Sequence, residues 1–313
     1  MPIFRIHHIT KYEYDRPVKE SVNAIKIYPY QCPEQEILQH DLLITGHPDV
    51  QTFTDYWGNK TGDFNILSPH KALTIESKLL VRTIAPTQLQ INFHSGFDEL
   101  RQEMDGQLKM LELARPDMIN TQGAVDNIRT IICQPGKSIA AVTEHCSEYI
   151  FKHFKYIKGI TNIETTVDEI LLHRAGVCQD FAHLMLHILR SAGIPCRYVS
   201  GYICPNKDGM RGEGATHAWV EVYIPGYGWA GIDPTNNVWV TNKHVKLSVG
   251  RHFRDCSPVK GSFKGPARQT LSVYVAVAYE DGNTFEELNN VHLQKENADD
   301  TPDVEDGTFA GQQ

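Results

Sequence analysis

No stretch of the chain approaches the roughly 20 apolar residues that a helix needs to span a bilayer, so a membrane partner is not expected. The first residues, Met1-Pro2-Ile3-Phe4-Arg5-Ile6-His7-His8, lack the basic-then-apolar order of a secretion signal, which makes the cytoplasm the expected location. Basic excess is missing too: 30 Lys and Arg stand against 38 Asp and Glu. Without a basic patch and stacking aromatics, nucleic acid is not an expected partner. No Cys-x-x-Cys pair occurs, so a structural zinc ribbon is not expected, nor is any other metal or cofactor. His183 and His187 have a ligand-like i, i+4 spacing, but Leu184 stands where the zinc-protease motif has Glu. The pair reads as solvated surface on the polar face of a helix. Seven cysteines, at 32, 133, 146, 178, 196, 204 and 256, are odd in number and irregularly spaced, which fits reduced thiols better than a disulfide framework. Internal repeats are absent.

What is present is an ordinary globular composition, 41% hydrophobic and 22% charged, in 313 residues, a length that predicts two domains. The net charge of −8 lies wholly in residues 281–313, which hold nine acidic residues and one lysine. That segment reads as an acidic disordered tail. Residues 1–88 show short alternating stretches at 3–6, 12–14, 24–28, 37–44, 52–56 and 73–84, separated by turn residues; they predict a small all-β, sandwich-like unit. Ala85-Pro86-Thr87 begins a linker. Residues 89–280 read differently. Helical periodicity dominates from about 99 to 192, with its clearest amphipathic stretch at 138–154. Strands follow at about 196–204, 216–224, 228–233 and 270–280. Helices packed on an antiparallel sheet make an α+β domain.

Three residues carry chemistry in an order that suits nucleophilic acyl transfer: Cys178, His217 and Asp233. Thr166-Val167-Asp168-Glu169 is a capping box that opens a short helix ending near His173, and Gly176 suits the turn that closes it. A second helix then runs from Cys178 to about Ala192 and stops at Gly193-Ile194-Pro195. Phe181, Ala182, Met185, Ile188 and Leu189 share its apolar face with Cys178, whereas Asp180, His183, His187 and Arg190 fall opposite. A cysteine at a helix N-terminus is biased toward thiolate. The plainer alternative is a buried core thiol. His217 opens an alternating strand, Pro225-Gly226-Tyr227-Gly228 turns it, and Asp233 closes the return strand. Both therefore fall at one open hairpin end, where a hydrogen bond would fix the imidazole tautomer.

Gly-Val-Cys-Gln-Asp-Phe-Ala at 176–182, His-Ala-Trp-Val-Glu-Val-Tyr at 217–223 and Gly-Trp-Ala-Gly-Ile-Asp-Pro-Thr-Asn at 228–236 resemble the three motifs of the bacterial transglutaminase-like superfamily. The segment 193–202 resembles the strand that joins the first two, with Cys196 where a small residue is usual. Gly250-Arg251-His252-Phe253 is similar to a later segment that usually reads Gly-Arg-Asp-Tyr. His8, Thr10, Tyr12, Tyr14, Pro17, Val18 and Asp55-Tyr56-Trp57-Gly58-Asn59 resemble the β-rich domain that precedes the core in this subgroup. The resemblance implies a papain-like core and a Cys178-His217-Asp233 triad. It also implies a thioacyl-enzyme that water resolves in a peptidase or amidase and an amine resolves in a transglutaminase. A peptide or protein amide is the expected partner, and hydrolysis the expected outcome. A non-catalytic binding or scaffold protein of the same fold is the alternative. Gln179 and Asp180 beside the cysteine, Trp219 in the histidine motif and Tyr202 in the joining strand are the candidates for substrate binding. The N-terminal unit is expected to shape access without supplying chemistry, since the whole triad lies after residue 170.

Overall fold

The computed structural model describes residues 1–84, 94–204, 210–211 and 216–280, and by backbone alone 284–285, 293–294 and 306–310. The linker expected at 85–87 lies outside the described residues. The N-terminal unit contains β1 (Ile3–Val18), β2 (Ser21–Ile25), β3 (Gln35–Ile44), β4 (Gln51–Thr54), β5 (Lys60–Ile66) and β6 (His70–Thr83). The alternating stretches at 3–6 and 12–14 join into one strand. Along it Phe4, Ile6, His8, Thr10 and Tyr12 are buried in strict alternation. That period of two puts one face on a core.

Helices follow: α1 (Phe97–Met104), α2 (Leu108–Ala114), α3 (Gln122–Ile132) and α4 (Ile139–His153). Then come β7 (Lys155–Tyr156), α5 (Val167–His173), β8 (Ala175–Gly176) and α6 (Cys178–Ser191). The capping box is as read. Thr166 Oγ1 accepts from the Glu169 N–H at 3.3 Å, and the Glu169 carboxylate accepts from the Thr166 N–H at 2.7 Å. The left-handed residue closing α5 is Arg174 at φ 49°, not Gly176, which instead pairs with Tyr156 in a two-residue parallel ladder.

A five-stranded antiparallel sheet carries the second half of the site: β9 (Cys196–Ile203), β10 (Thr216–Ile224), β11 (Gly228–Asp233), β12 (Val238–Trp239) and β13 (His244–Gly250), in the order β12-β11-β10-β9-β13. Ala218, Val220 and Val222 pack with Phe181, Met185 and Leu189 of α6 in one core. Full burial of a leucine or phenylalanine contributes about 1.5–3 kcal/mol each. The helix is more deeply enclosed than its amphipathic pattern predicts. His187, read as solvated surface, is 3% exposed, and Asp180 and Arg190 on the same polar face are 1% and 3% exposed. Each is buried with a partner. Arg190 donates to the carbonyls of Leu113, Cys196 and Arg251, and His187 pairs with Gln122. His183 Nε2 accepts from the Phe253 N–H at 3.1 Å. Hydrogen bonds to loops and neighbouring helices thus replace water on that face.

The chain then returns to the first unit. After α7 (Phe253–Cys256), β14 (Val259–Lys264) pairs with β2, and β15 (Gln269–Tyr279) runs antiparallel to β1 from Tyr14↔Gln269 to Phe4↔Tyr279. The strand expected at 270–280 exists, but it completes the N-terminal sheet and does not extend the α+β sheet. Its alternating Leu271, Val273, Val275 and Val277 belong to the core of Phe4, Ile6 and Tyr12. The first unit is thus a pair of sheets closed by strands from both ends of the chain. Backbone pairs also place β16 (Thr284–Phe285), β17 (Leu293–Gln294) and β18 (Asp306–Ala310) on these sheets. Segments of the acidic tail therefore form strands where composition predicts disorder, because the outer edges of β14 and β15 offer unpaired backbone groups. Among the described residues, no helix is long and apolar enough to cross a membrane.

The N-terminal unit also covers the back of the α+β sheet. Trp219, Val199 and Val249 pack against Tyr30 and Trp57. Gln35 accepts from the Lys246 N–H and donates to its carbonyl, both at 2.8 Å. Asn59 does the same for Val249 at 2.8 and 2.7 Å. Two side-chain amides thus dock one unit on the other through an edge strand.

Candidate active site

Cys178 is the first residue of α6 and is 7% exposed. The helix starts there because Asp180 folds back: its Oδ2 accepts from the Val177 N–H at 2.7 Å and from the Thr161 hydroxyl at 2.6 Å. Burial pushes the Asp180 carboxyl up, against these two donors. Gly176 makes room for the fold-back, since a Cβ there would meet Asp180 Oδ2 at 2.6 Å. The backbone N–H groups of the first turn, with no intrahelical acceptor, surround the thiol with positive potential.

His217 is the second residue of β10 and is fully buried. Its Nε2 lies 2.8 Å from Asp233 Oδ2, which leaves Nδ1 for the thiol. Nδ1 closes no hydrogen bond in this structure, while Cys178 acts on the imidazole by its charge. Such contacts are often loose without substrate and tighten in the complex. Burial disfavours the imidazolium, but the Asp233 carboxylate and Cys178 outweigh it and raise the His217 pKa to about 10. Asp233 responds in the opposite sense: burial alone would raise its pKa, and the neighbouring imidazoles hold it far below the usual carboxylate range.

Asp233 ends β11, and the residues after it fasten the carboxylate. Its Oδ1 accepts from the Thr235 N–H at 2.9 Å, and its Oδ2 from the Asn236 side-chain amide at 2.7 Å. Asn236 also binds the Arg211 backbone at both ends, at 2.7 and 3.2 Å, and so joins Asp233 to the connection that leads into His217. The arrangement holds a thiol at a helix N-terminus, an imidazole beside it and an immobile carboxylate behind the imidazole.

Of the expected substrate-binding residues, Gln179 and Asp180 are 4% and 1% exposed on the first turn of α6. Asp180 is spent on the helix start. Trp219 is fully buried, with its ring 6.4 Å from the His217 ring and 5.2 Å from that of His244. It backs the imidazoles and presents no surface to a ligand. Tyr202 is also fully buried, and its hydroxyl lies 2.8 Å from His8 Nδ1 in the N-terminal unit. Trp219 and Tyr202 therefore act within the fold, where bulk and a hydroxyl meet internal partners.

Sequence reasoning missed Asn236, Thr161 and His244. Asn236 closes the third motif and carries no signal of its own. His244 opens β13, a strand that the alternation Val245-Lys246-Leu247-Ser248-Val249 would have revealed. Nothing in the sequence shows that this strand lies beside β9 and aims a second imidazole at Asp233. The candidate ligand atoms of His217, Asp233 and His244 lie within 4.8 Å of one another. A cation there would have to break the 2.8 Å His217–Asp233 bond, so the cluster is better suited to hydrogen bonding.

Known proteins resemble this chain in sequence and in fold. A model of the transglutaminase-like superfamily matches residues 131–234, and one of the bacterial transglutaminase-like N-terminal region matches residues 4–82. An uncharacterized protein of Mycobacterium leprae is 32% identical over 284 residues, covering 87% of this chain and 97% of that protein. A protein-glutamine gamma-glutamyltransferase of Pseudomonas aeruginosa is 33% identical over 119 residues, 36% of this chain and 18% of that protein. A solved structure from Cytophaga hutchinsonii, described as a candidate cysteine protease, superposes with a TM-score of 0.71 at 22% identity, covering 93% of this chain and 96% of that one.

Proposed function

This chain belongs to the transglutaminase-like superfamily, and from that premise we propose that it is a cysteine-dependent acyl-transfer enzyme acting on amide bonds through Cys178, His217 and Asp233. The observation that carries the reading is the fully buried 2.8 Å bond between His217 Nε2 and Asp233 Oδ2, with the other imidazole nitrogen left to a thiol at the head of α6. His217 takes the thiol proton. The thiolate attacks the amide carbonyl carbon, and the backbone N–H of Cys178 donates to the oxyanion that forms. His217 then protonates the leaving amine as the C–N bond breaks, which leaves a thioester on Cys178. Water, deprotonated by His217, attacks that thioester and releases the acid.

Hydrolysis is the reading we adopt, since water resolves a thioester unless an amine is held beside it. The second reading, transfer to an amine, draws on the 119-residue match to the glutamyltransferase. A panel of peptide amides incubated with the protein, with and without a primary amine, and read by mass spectrometry tests both. Free acid alone supports the peptidase or amidase. Amine adducts in place of acid would make it a transglutaminase, and no turnover of any amide, with Cys178 unreactive, would favour a binding protein.

A further inference from the structure

Asp233 has a second histidine beside it. His244 Nε2 lies 3.5 Å from Asp233 Oδ2, and both side chains are fully shielded from solvent. The His244 ring is 6.2 Å from the His217 ring, so the carboxylate stands between two imidazoles. The tautomer of His244 follows from its other nitrogen. Nδ1 accepts from the Thr241 N–H at 3.5 Å, which leaves the hydrogen on Nε2, the atom nearer Asp233. Nε2 closes no hydrogen bond in this structure, and the Asp233 carboxylate, 3.5 Å away, is the acceptor it faces. A buried N–H without an acceptor costs about 1–3 kcal/mol, so one aimed at a carboxylate needs a reason.

The backbone provides for this placement. His244 pairs with Ile203 and Lys246 with Gly201 on β9, while His217 pairs with Gly201 from the other side. A Cβ at Gly201 would meet the Val245 carbonyl at 2.1 Å and the Trp219 ring at 2.5 Å. Only glycine lets Trp219 lie across the strand and wedge against the edge of the His244 ring. The His244 ring is thus held by Trp219 on one side and by the Thr241 turn on another.

We propose that His244 is a positioning residue for acyl transfer: as a neutral imidazole it donates Nε2–H to Asp233 and fixes the carboxylate oxygen that orients His217. This rests on the triad reading above. It adds a fourth side chain that never touches substrate or the reacting atoms. With Thr235 and Asn236, His244 would make the third internal donor to Asp233, leaving the carboxylate one orientation in which to receive His217.

The test uses the full chain and two variants, His244→Phe, which keeps a ring without a donor, and His244→Gln, which returns an amide N–H near Nε2. The rate constant for Cys178 alkylation by iodoacetamide should fall about tenfold in the Phe variant, the size of one charge-assisted hydrogen bond. The Gln variant should recover most of it. Nitrogen NMR of the His217 ring should report a changed Nε2–H environment in the Phe variant and its return in the Gln variant. Equal rates and unchanged His217 signals in folded His244→Phe would overturn the proposal, as would a Gln variant no better than Phe. The wild-type ring spectrum decides independently of folding: a His244 carrying its proton on Nδ1 rules the proposal out. If wild-type Cys178 itself reacts no faster than an ordinary thiol, it is the triad reading that fails.

Discussion

Seven free cysteines share this chain, and their surroundings separate them. Burial pushes the thiols of Cys146, Cys196, Cys204 and Cys256 upward, which disfavours the reactive anion. Cys178 has a helix N-terminus and His217. Limiting iodoacetamide at neutral pH should therefore label Cys178 first; preferential labelling of another cysteine in folded protein would sink the assignment. The same unit sets the pH response. His217 is raised to about 10, so its imidazolium persists through neutrality and is lost as pH rises through the folded value. Turnover that needs this proton for the leaving amine should hold to about pH 9 and decline near 10; a decline centred near 6.5 would show an imidazole uncoupled from Asp233. The stabilising interaction of the pair has two limits. Asp233 is depressed, so its share is present above the unfolded carboxylate pKa and is lost as acid takes pH through the folded one. The His217 share is complete below its unfolded pKa and fades toward 10. On the proposed triad, adding Asp233→Ala to Cys178→Ala should worsen activity little beyond Cys178→Ala alone. Measured defects that multiply in full would mean that Asp233 works independently of the nucleophile.

At the level of elements, the helices and the hairpin were legible because their signals are local. The Thr166 capping box, the Pro225–Gly228 turn and the period of α4 depend on neighbours within a few residues. The placement of Cys178, His217 and Asp233 was legible for the same reason: each lies at or next to the end of an element, so its position follows from the element's limits. What the sequence hid is non-local. The burial of His187 and Arg190 depends on Gln122, Leu113 and Arg251, 65, 77 and 61 residues away, and periodicity reports only that they are polar. Gly176 shows how tightly the start of α6 is built. Gly176→Ala would press a methyl group against Asp180, displacing its bond to the Val177 N–H. Loss of this cap should cost about 1 kcal/mol, and more if the backbone shifts. Thermal unfolding should show the drop, and Cys178 alkylation should slow with it. Unchanged stability and rate would mean that Asp180 is not what sets the head of the helix.

The whole molecule is less divisible than its two sequence regions imply. β14 and β15, which follow the triad, complete the sheets that β1 and β2 begin. A protein starting near residue 90 would leave β15 without its partner and uncover Tyr202, Trp219 and Val249. It should be poorly soluble or molten, as judged by lost near-ultraviolet circular dichroism and dye binding. A well-folded fragment with fast Cys178 alkylation would show instead that the first unit is dispensable. The register Phe4↔Tyr279 also fixes an order in time. During synthesis β1 leaves the ribosome about 250 residues ahead of its neighbour at 269–279, and the Cys178–His217–Asp233 segment emerges in between. Pairing across so long a separation is slow to form. The sheet that backs the imidazoles therefore gains its final cover only when the last strands arrive. A nascent chain halted before residue 269 has its nucleophile but an unfinished scaffold behind it, so fast alkylation of Cys178 is expected only once 269–279 has paired with β1.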